Sequence, residues 1–503
     1  MPVKAILTPK GLLVAHKTLT EKQWAGVKTD LTLNHTTRIG RKIYTKTLVC
    51  YREIVVNNVP YMLMPRHYDF AAKLGITDIC YVDKRNPGIE LGQSTFLDAN
   101  YTPPIKLFDD QQLAMDHIFA ADDDGRLKGH NGRILVMNTG LGKTFCGGAF
   151  IAQHCMKALV IVPGLSAAGE WIKMFANYPY LTCGQYNGKV KEDGDVVVIT
   201  IDSALADKIG GVPAHDYFAK FGTIVFDEIH DLPTPSRMEI FWRTSAANTL
   251  GLTATPDERP DGMYRMLDWF LGPIVRLSDI APEKDADKIN WRGHVTVVKY
   301  SGSDEYTREI LQKSTGWRDH GATVKMLAED PIRNSYILRQ LRRLYNAGNN
   351  TYVFTFNRAH AERLFGLAIL PVDKGGLGLP EKECALLMGG ADLAYKEWAL
   401  TNCRAIFVTD SYGKQSISAG HMDAIINGTP FASNIVQRLG RILRRNGNVD
   451  IVRQIIDIVD VRLELRKMFN ARKKGYELKN FTNHDEVVDY KKVVVLPAAV
   501  LVA

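Results

Sequence analysis

Between Arg133 and Met156 the chain reads RILVM, NTGLGKT, FCGGAFIAQHCM: a short apolar run, a glycine-rich turn ending in Lys143-Thr144, then a stretch of helical character. A strand that feeds a helix through so short a turn suits a parallel sheet, because the helix must carry the chain back before the next strand. Runs of the same kind follow at ALVIVP, VVVIT, TIVFDE and TLGLTAT, each short, mostly β-branched and bounded by polar or glycine-containing segments. Continuous apolarity without alternation is how strands buried on both faces read. A second series runs through HVTVVKY, TYVFTF, AIFVTD, AIIN and RQIIDIVD. The fold class expected is therefore α/β, with two parallel-sheet lobes in tandem.

Between the first two strands of the second series a helix opens at Asp330-Pro331. Ile337, Leu341, Leu344 and Tyr345 share one of its faces, and Gly348 is placed to end it. The first hundred residues differ. RKIYTKTLVCYREIVVNNVPYMLMPRHY alternates β-branched and aromatic residues with polar ones, and VNNV supplies a turn signal. The expected domains are a β-rich accessory module over 1–104, a first lobe over 105–282, a second lobe over 283–470 and a tail over 471–503. The apolar segment VVVLPAAVLVA is shorter than the roughly 20 residues a membrane span needs and contains Pro497, so it reads as a terminal strand or docking tail. In MPVKAILTPKGLLVA, Pro9 and Lys10 interrupt the apolar run, which argues against a signal peptide.

With 503 residues the chain is too long for one core, and a formal charge of +8 suits a polyanionic partner without demanding one. The seven cysteines form no C-x-x-C pair, so reduced intracellular thiols are expected in place of a zinc site or disulfide framework.

The chemistry begins at the glycine-rich turn. Met137 stands where the G-x-x-x-x-G-K-[ST] pattern has its first glycine, but G-x-G-K-T is complete. Asn138, Thr139, Gly140, Leu141 and Gly142 would wrap a phosphate with backbone amides, Lys143 would reach the β- and γ-phosphates, and Thr144 would ligate Mg²⁺. A plain glycine turn is the alternative. VFDEIH ends another apolar run; there Asp227 would hold Mg²⁺ and Glu228 would polarise the attacking water, unless the pair is only an exposed acidic turn. In QRLGRILRR, Gln437, Gly440, Arg441 and Arg444 recur at helical spacings, and an arginine beside a γ-phosphate stabilises charge in the transition state. A solvated basic helix would show the same pattern.

Taken together, and in this order across two α/β lobes, the three motifs resemble superfamily 2 helicases and translocases. LFDDQQLAM is similar to the family's opening L-R-x-Y-Q-x-x-A-L motif, which implies that Gln111 meets adenine; Phe108 and Asp110 depart from it where Arg and Tyr are usual. ALVIVPGLSAAGEW, VVVITIDSAL, GLTATPDERPDG and TYVFTFNRAHAERL match further motifs of the set. The Arg-x-Asp-Gly extension is most like XPB-type translocases and phage branch-migration helicases. NTGLGKT, RPDGM and KKGY look closer to helicases of large DNA viruses, of the African swine fever virus and poxvirus late-transcription kinds. In SYGKQSISAGHMDAIIN the coupling motif aligns in two ways: Ser416 replaces the usual glycine with Ser418 after it, which is the favoured alignment, or Gly420 supplies it with Asp423 one residue late.

The resemblance implies two RecA-like lobes that close on ATP and Mg²⁺, with the phosphate loop on one lobe and Arg441 and Arg444 on the other. It implies a DNA helicase or translocase of 3′-to-5′ polarity, acting as a monomer away from membranes, alone or with transcription or recombination proteins. If the source is viral, host cytoplasm or virion is the expected place. Pro163, Gly164, Thr200 and Ser203 in the first lobe, and Thr355 and Asn357 in the second, would contact the nucleic-acid backbone. His230, Thr253 and Thr255 would relay the nucleotide state. Between Arg438 and Lys474 the chain is rich in Arg and Lys, which suits either a DNA-facing surface or a solvated helix. Rival functions are an RNA helicase, a nucleic-acid-binding scaffold with weak ATPase activity, and a P-loop kinase or GTPase.

Overall fold

The computed structural model describes the chain apart from residues 1, 40, 41, 86, 121–131, 139, 245, 255–260, 281–290, 313–315, 317, 414–416, 418, 432–434, 444–449, 462–464, 489–492 and 494–503. The chain divides into two compact units, Met1–Asp285 and Ala286–Ala503.

The first unit opens with strands β1 (Val3–Thr8) and β2 (Gly11–Ala15), followed by a two-stranded ribbon, β3 (Thr32–Ile39) with β4 (Lys42–Val49). Then come β5 (Arg52–Val56), β6 (Val59–Met64) and β7 (Ile79–Asp83), giving a five-stranded sheet in the order β5-β6-β2-β1-β7. The expected VNNV turn joins β5 to β6: Asn57 and Asn58 both have positive φ, 49° and 62°, as the tight turns that match strand twist require. Thr20 and Gln23 cap the helix Glu21–Asp30 reciprocally, and the helix buries Trp24 and Val27.

This module has its own sheet but no separate core. Leu12, Leu13 and Met64 belong to the same apolar cluster as Phe226, Phe241, Trp242 and Phe270 of the following lobe. The buried guanidinium of Arg66 donates to the carbonyls of Thr244 and Ala246, locking the two together.

The lobe itself is built on β8 (Gly132–Val136), β9 (Ala158–Val162), β10 (Cys183–Tyr186), β11 (Val196–Thr200), β14 (Thr223–Phe226), β15 (Asn248–Thr253) and β16 (Ile274–Arg276); a small antiparallel ribbon, β12 (Lys208–Ile209) with β13 (Val212–Pro213), lies apart. The strand order is β10-β11-β9-β14-β15-β8-β16, and every pairing is parallel.

The second unit repeats the plan with β17 (Gly293–Tyr300), β18 (Thr351–Thr355), β19 (Cys384–Leu387), β20 (Ala405–Thr409), β21 (Ala424–Asn427), β22 (Arg453–Asp460) and β23 (Thr482–Val488). The order β19-β20-β18-β21-β22-β17-β23 is again parallel throughout. These are the two tandem parallel-sheet lobes, after an N-terminal sheet module, that the strand patterning predicts, and the RecA-like pair that the resemblance implies. Asp330 caps the helix Pro331–Asn346 by accepting from the amides of Ile332 and Arg333, while Tyr300 donates to its other oxygen at 2.7 Å.

Two expectations change. Residues 482–488, expected in a tail, form β23 and pair along the length of β17. Most of VVVLPAAVLVA lies outside the described residues, its Val493 being buried. The basic run Arg438–Lys474 is neither wholly a DNA-facing surface nor a solvated helix, because Arg438, Arg441, Arg453 and Arg472 are all buried. Arg438 pairs with Asp410 and lies over Phe354 and Phe431; Arg453 lies over Trp291; Arg472 makes a two-pronged bond to Asp457 at 2.8 and 2.9 Å. A planar guanidinium satisfies a buried carboxylate and stacks on aromatic rings at once, so these charges serve the core. All seven cysteines are free.

Candidate nucleotide and nucleic-acid site

Because the first lobe's strands all run one way, their C-terminal ends share one edge, the edge at which parallel α/β sheets bind ligands. The register aligns Thr253 with Val136, Phe226 with Ile161 and Gly251, and Thr200 with Val162. The phosphate loop, Asp227-Glu228, Thr253, Pro163-Gly164 and Thr200 therefore leave the sheet side by side. Over β8, β15 and β14 stand the nucleotide candidates; over β9 and β11 stand the nucleic-acid candidates.

Gly140 and Gly142 have φ of 87° and 83°, the left-handed region open to glycine, and Gly142 opens the helix Lys143–His154. Met137 is not at positive φ, so its position makes no demand for glycine; its side chain is buried with the Cys146 sulfur 3.7 Å away. Lys143 lies back across the loop, its Nζ donating to the Met137 carbonyl at 3.2 Å. Thr144 is half-buried at the helix start. Leu141 closes the turn by donating its amide to the Asn138 carbonyl. Thr139 lies outside the described residues.

Gln111 has two partners within the protein. Its Nε2 donates to the Leu141 carbonyl at 2.7 Å, and its Oε1 accepts from the Phe108 amide at 2.9 Å. A Cβ on Gly142 would sit 2.3 Å from Gln111 Nε2, so the second glycine of the loop is also needed for this close approach. One end of the Gln111 amide thus braces the phosphate loop, and the other closes the turn before its own helix.

Beyond β14, Asp227 donates its amide to the Ile161 carbonyl at 2.9 Å. Its two carboxylate oxygens accept from the Trp171 indole and the Glu228 amide, each at 3.0 Å. Burial, with the Glu228 charge beside it, holds the Asp227 carboxyl well above the usual carboxylate range, and the Trp171 bond and the Lys143 charge oppose that rise. Glu228 sits at φ 50°, a left-handed conformation that costs a residue with a Cβ on the order of 1–3 kcal/mol and clusters at functional sites. His230 Nδ1 lies 3.2 Å from Glu228 Oε2 and 3.3 Å from Thr253 Oγ1. Thr253 in turn receives the Met137 amide on its carbonyl at 3.1 Å. Thr253 thereby links His230 to the phosphate loop, with Glu228 within ion-pair distance of the histidine. Thr255 lies outside the described residues.

The donor set fits Mg²⁺. Thr144 offers a hydroxyl and Asp227 a carboxylate, both hard oxygen donors, and Mg²⁺ takes few protein ligands because phosphate oxygens and water complete its shell.

Among the nucleic-acid candidates, Pro163 is exposed and Gly164 precedes the helix Leu165–Phe175, while Thr200 donates its hydroxyl to Ser203 at 2.9 Å. In the second lobe one expectation, Thr355, needs correction. Thr355 is fully buried and its hydroxyl faces the Val408 and Asn357 carbonyls, so it offers no surface for a backbone contact. Asn357 spends its side-chain oxygen capping the helix Arg358–Ile369, on the His360 amide at 2.8 Å.

Arg441 is buried, Gly440 precedes it in the same turn, and Gln437 lies in the helix Ile435–Leu439 with its side chain outside the described residues, as is all of Arg444. Ser416 and Ser418 also lie outside. Gly420 is exposed with open space around it, whereas Asp423 accepts from the Asn349 side chain and the Asn350 amide. Asp423 is thus a structural residue. Sequence reasoning assigned no part to Trp171, since a lone tryptophan in a helix does not signal its partner.

Comparisons with known proteins agree with this geometry. The family model described as type III restriction enzyme, res subunit, matches residues 104–258. QP509L of African swine fever virus (isolate Pig/Kenya/KEN-50/1950), named as a candidate ATP-dependent RNA helicase, is 29% identical over 397 residues, covering 75% of this chain and 73% of its own. A DNA 3′-5′ translocase, XPB2, of Sulfurisphaera tokodaii is 23% identical over 370 residues, covering 66% of this chain and 80% of its own. The chain is thus similar to superfamily 2 helicases over most of its length, and it is an ATP-dependent enzyme of the hydrolase class. The fold agrees with that of the Mycobacterium smegmatis helicase Lhr bound to ssDNA and AMP-PNP, with a TM-score of 0.50 and 17% identity over 72% of this chain and 48% of that one. Among the described residues no helix is long and apolar enough to cross a membrane.

Proposed function

We propose that the chain is a DNA helicase or translocase that couples ATP hydrolysis to movement on, or opening of, DNA in viral transcription, recombination or repair. The observation that carries this is the shared edge of the first lobe, where a glycine-rich loop, an acid pair with Glu228 at positive φ, and the turns after β9 and β11 lie on neighbouring parallel strands. Lys143 and the loop amides hold the triphosphate, Thr144 and Asp227 hold Mg²⁺, and Glu228 orients the attacking water. His230 and Thr253 pass the state of that site along the edge. Arg441 and Arg444 are the candidates for the positive charge that hydrolysis needs. Pro163, Gly164, Thr200 and Ser203 meet phosphates rather than bases, so binding tolerates sequence and weakens with salt.

DNA as the substrate is supported by the Arg-x-Asp-Gly extension and by the likeness to a DNA translocase. A second reading, an RNA helicase, is favoured by the name of the viral relative. Measuring ATPase rates in parallel with single-stranded DNA, duplex DNA, forked DNA and RNA, at low and high salt, separates the two. Several-fold stimulation by DNA that salt suppresses is the expected result; stimulation by RNA alone selects the second reading, and a rate indifferent to any nucleic acid removes both.

A further inference from the structure

The glycine pair Gly147-Gly148 lies beyond the phosphate loop and takes no part in wrapping phosphate. A Cβ on Gly147 would come within 2.4 Å of the Trp171 ring, and one on Gly148 within 2.8 Å of the Met174 side chain. Both neighbours belong to the helix Leu165–Phe175, so the two glycines form its seat on the phosphate-loop helix. Trp171 is fully buried, and it spends its indole N–H on Asp227 Oδ2. The Asp227 amide is held from the same side, through the Ile161 carbonyl of β9. Between β9 and the Trp171 helix lies the turn Pro163-Gly164. One strand–turn–helix unit thus carries a turn suited to a nucleic-acid backbone, two bonds to Asp227 and a close seat against the phosphate-loop helix.

We propose that Trp171 is a positioning residue that ties the Asp227 carboxylate to the Pro163-Gly164 turn, so that nucleic acid held at the turn sets how Asp227 meets its cation. The inference rests on the assignment of Asp227 to Mg²⁺ made above. An outer donor fixes a ligating carboxylate's orientation and favours its ionised form, and such donors typically influence metal affinity or activity by about 10–100-fold. Rigid packing transmits a shift of the helix to the carboxylate, because neither the Gly147 contact nor the indole has room to absorb it.

The test uses the full chain and two variants. Trp171→Phe keeps most of the ring and removes the donor; Gly147→Ala keeps the donor and displaces the ring, and carries the test should the first variant not fold. Binding of Mn²⁺ with ADP is followed by electron paramagnetic resonance, and ATPase rates are measured with and without a thymidine oligonucleotide. The expected result is Mn²⁺·ADP affinity weakened about tenfold and a stimulation ratio falling towards one, with affinity for the oligonucleotide in the absence of nucleotide kept within about twofold. Parent-like Mn²⁺·ADP binding in both variants, or an equal loss of basal and stimulated rates, overturns the proposal, since a merely structural residue would give the latter. Turnover in a Lys143→Ala control would instead strike at the nucleotide-site assignment, independently of Trp171.

Discussion

His230 Nδ1 lies 3.3 Å from the hydroxyl of Thr253, across 23 residues of chain. The contact joins the segment carrying the acid pair to the end of β15, whose last carbonyl already holds the phosphate loop at Met137. Thr253→Val keeps the shape and removes the hydroxyl. Stability should fall by about 1 kcal/mol, and ATP hydrolysis should lose part of its response to nucleic acid. Urea unfolding and stimulated ATPase rates check both; an unchanged stimulation ratio would show that the contact is only structural.

Lys143→Ala removes the cation at the phosphate loop, and Glu228→Gln removes the charge that orients water while leaving nucleotide binding in place. Each is expected to lower the ATPase rate by at least about 100-fold, the scale seen when a preorganised electrostatic group is lost. Phosphate release measures the rate, and circular dichroism confirms the fold. Normal turnover in a folded Glu228→Gln protein would remove Glu228 from the mechanism.

Arg472 and Asp457 are almost wholly buried, and the same Asp457 oxygen also accepts from Tyr476 at 2.8 Å. Arg472→Met strands a carboxylate in the second lobe and should cost about 3–5 kcal/mol, whereas replacing both partners with apolar residues should cost less. Chemical denaturation of the two variants side by side gives the comparison. Equal losses would mean that the arginine matters for its packing over Phe431 alone.

Two histidines should make the protein acid-sensitive. Burial pushes His154 down to about 4, and burial with the nearby arginines Arg333 and Arg363 pushes His360 down to about 3. Below about 6.5 the unfolded chain binds protons that these folded rings refuse, so stability falls as pH drops from there towards 4 for His154 and towards 3 for His360. Each contributes a slope approaching 1.4 kcal/mol per pH unit within its window. Unfolding midpoints between pH 7 and 5 should decline, and His360→Gln, which keeps a donor for Asn334, should decline less steeply. A flat profile would contradict the burial of His360.

What the sequence disclosed and what it hid have physical causes. Strands such as Ala158–Val162 and Val196–Thr200 were legible because burial on both faces forces continuous apolarity. Asp330-Pro331 announced a helix because cap and first-turn geometry are local. β23 was hidden because TNHDEVV is an edge strand, mostly exposed, and carries no apolar run. Within the site, Lys143, Asp227 and Glu228 could be named from spacing alone. The position of Gln111 beneath Leu141, the burial of Thr355 and the indole bond from Trp171 depend on which elements the fold brings together, and no local pattern encodes that.

The pairing of β17 with β23 joins residues almost 190 positions apart, since His294 lies opposite Thr482. The second lobe's sheet therefore cannot close during synthesis until residue 488 has cleared the ribosome. Until then β17 presents a bare edge, which is the interval in which a nascent chain of this kind most needs a chaperone to shield it.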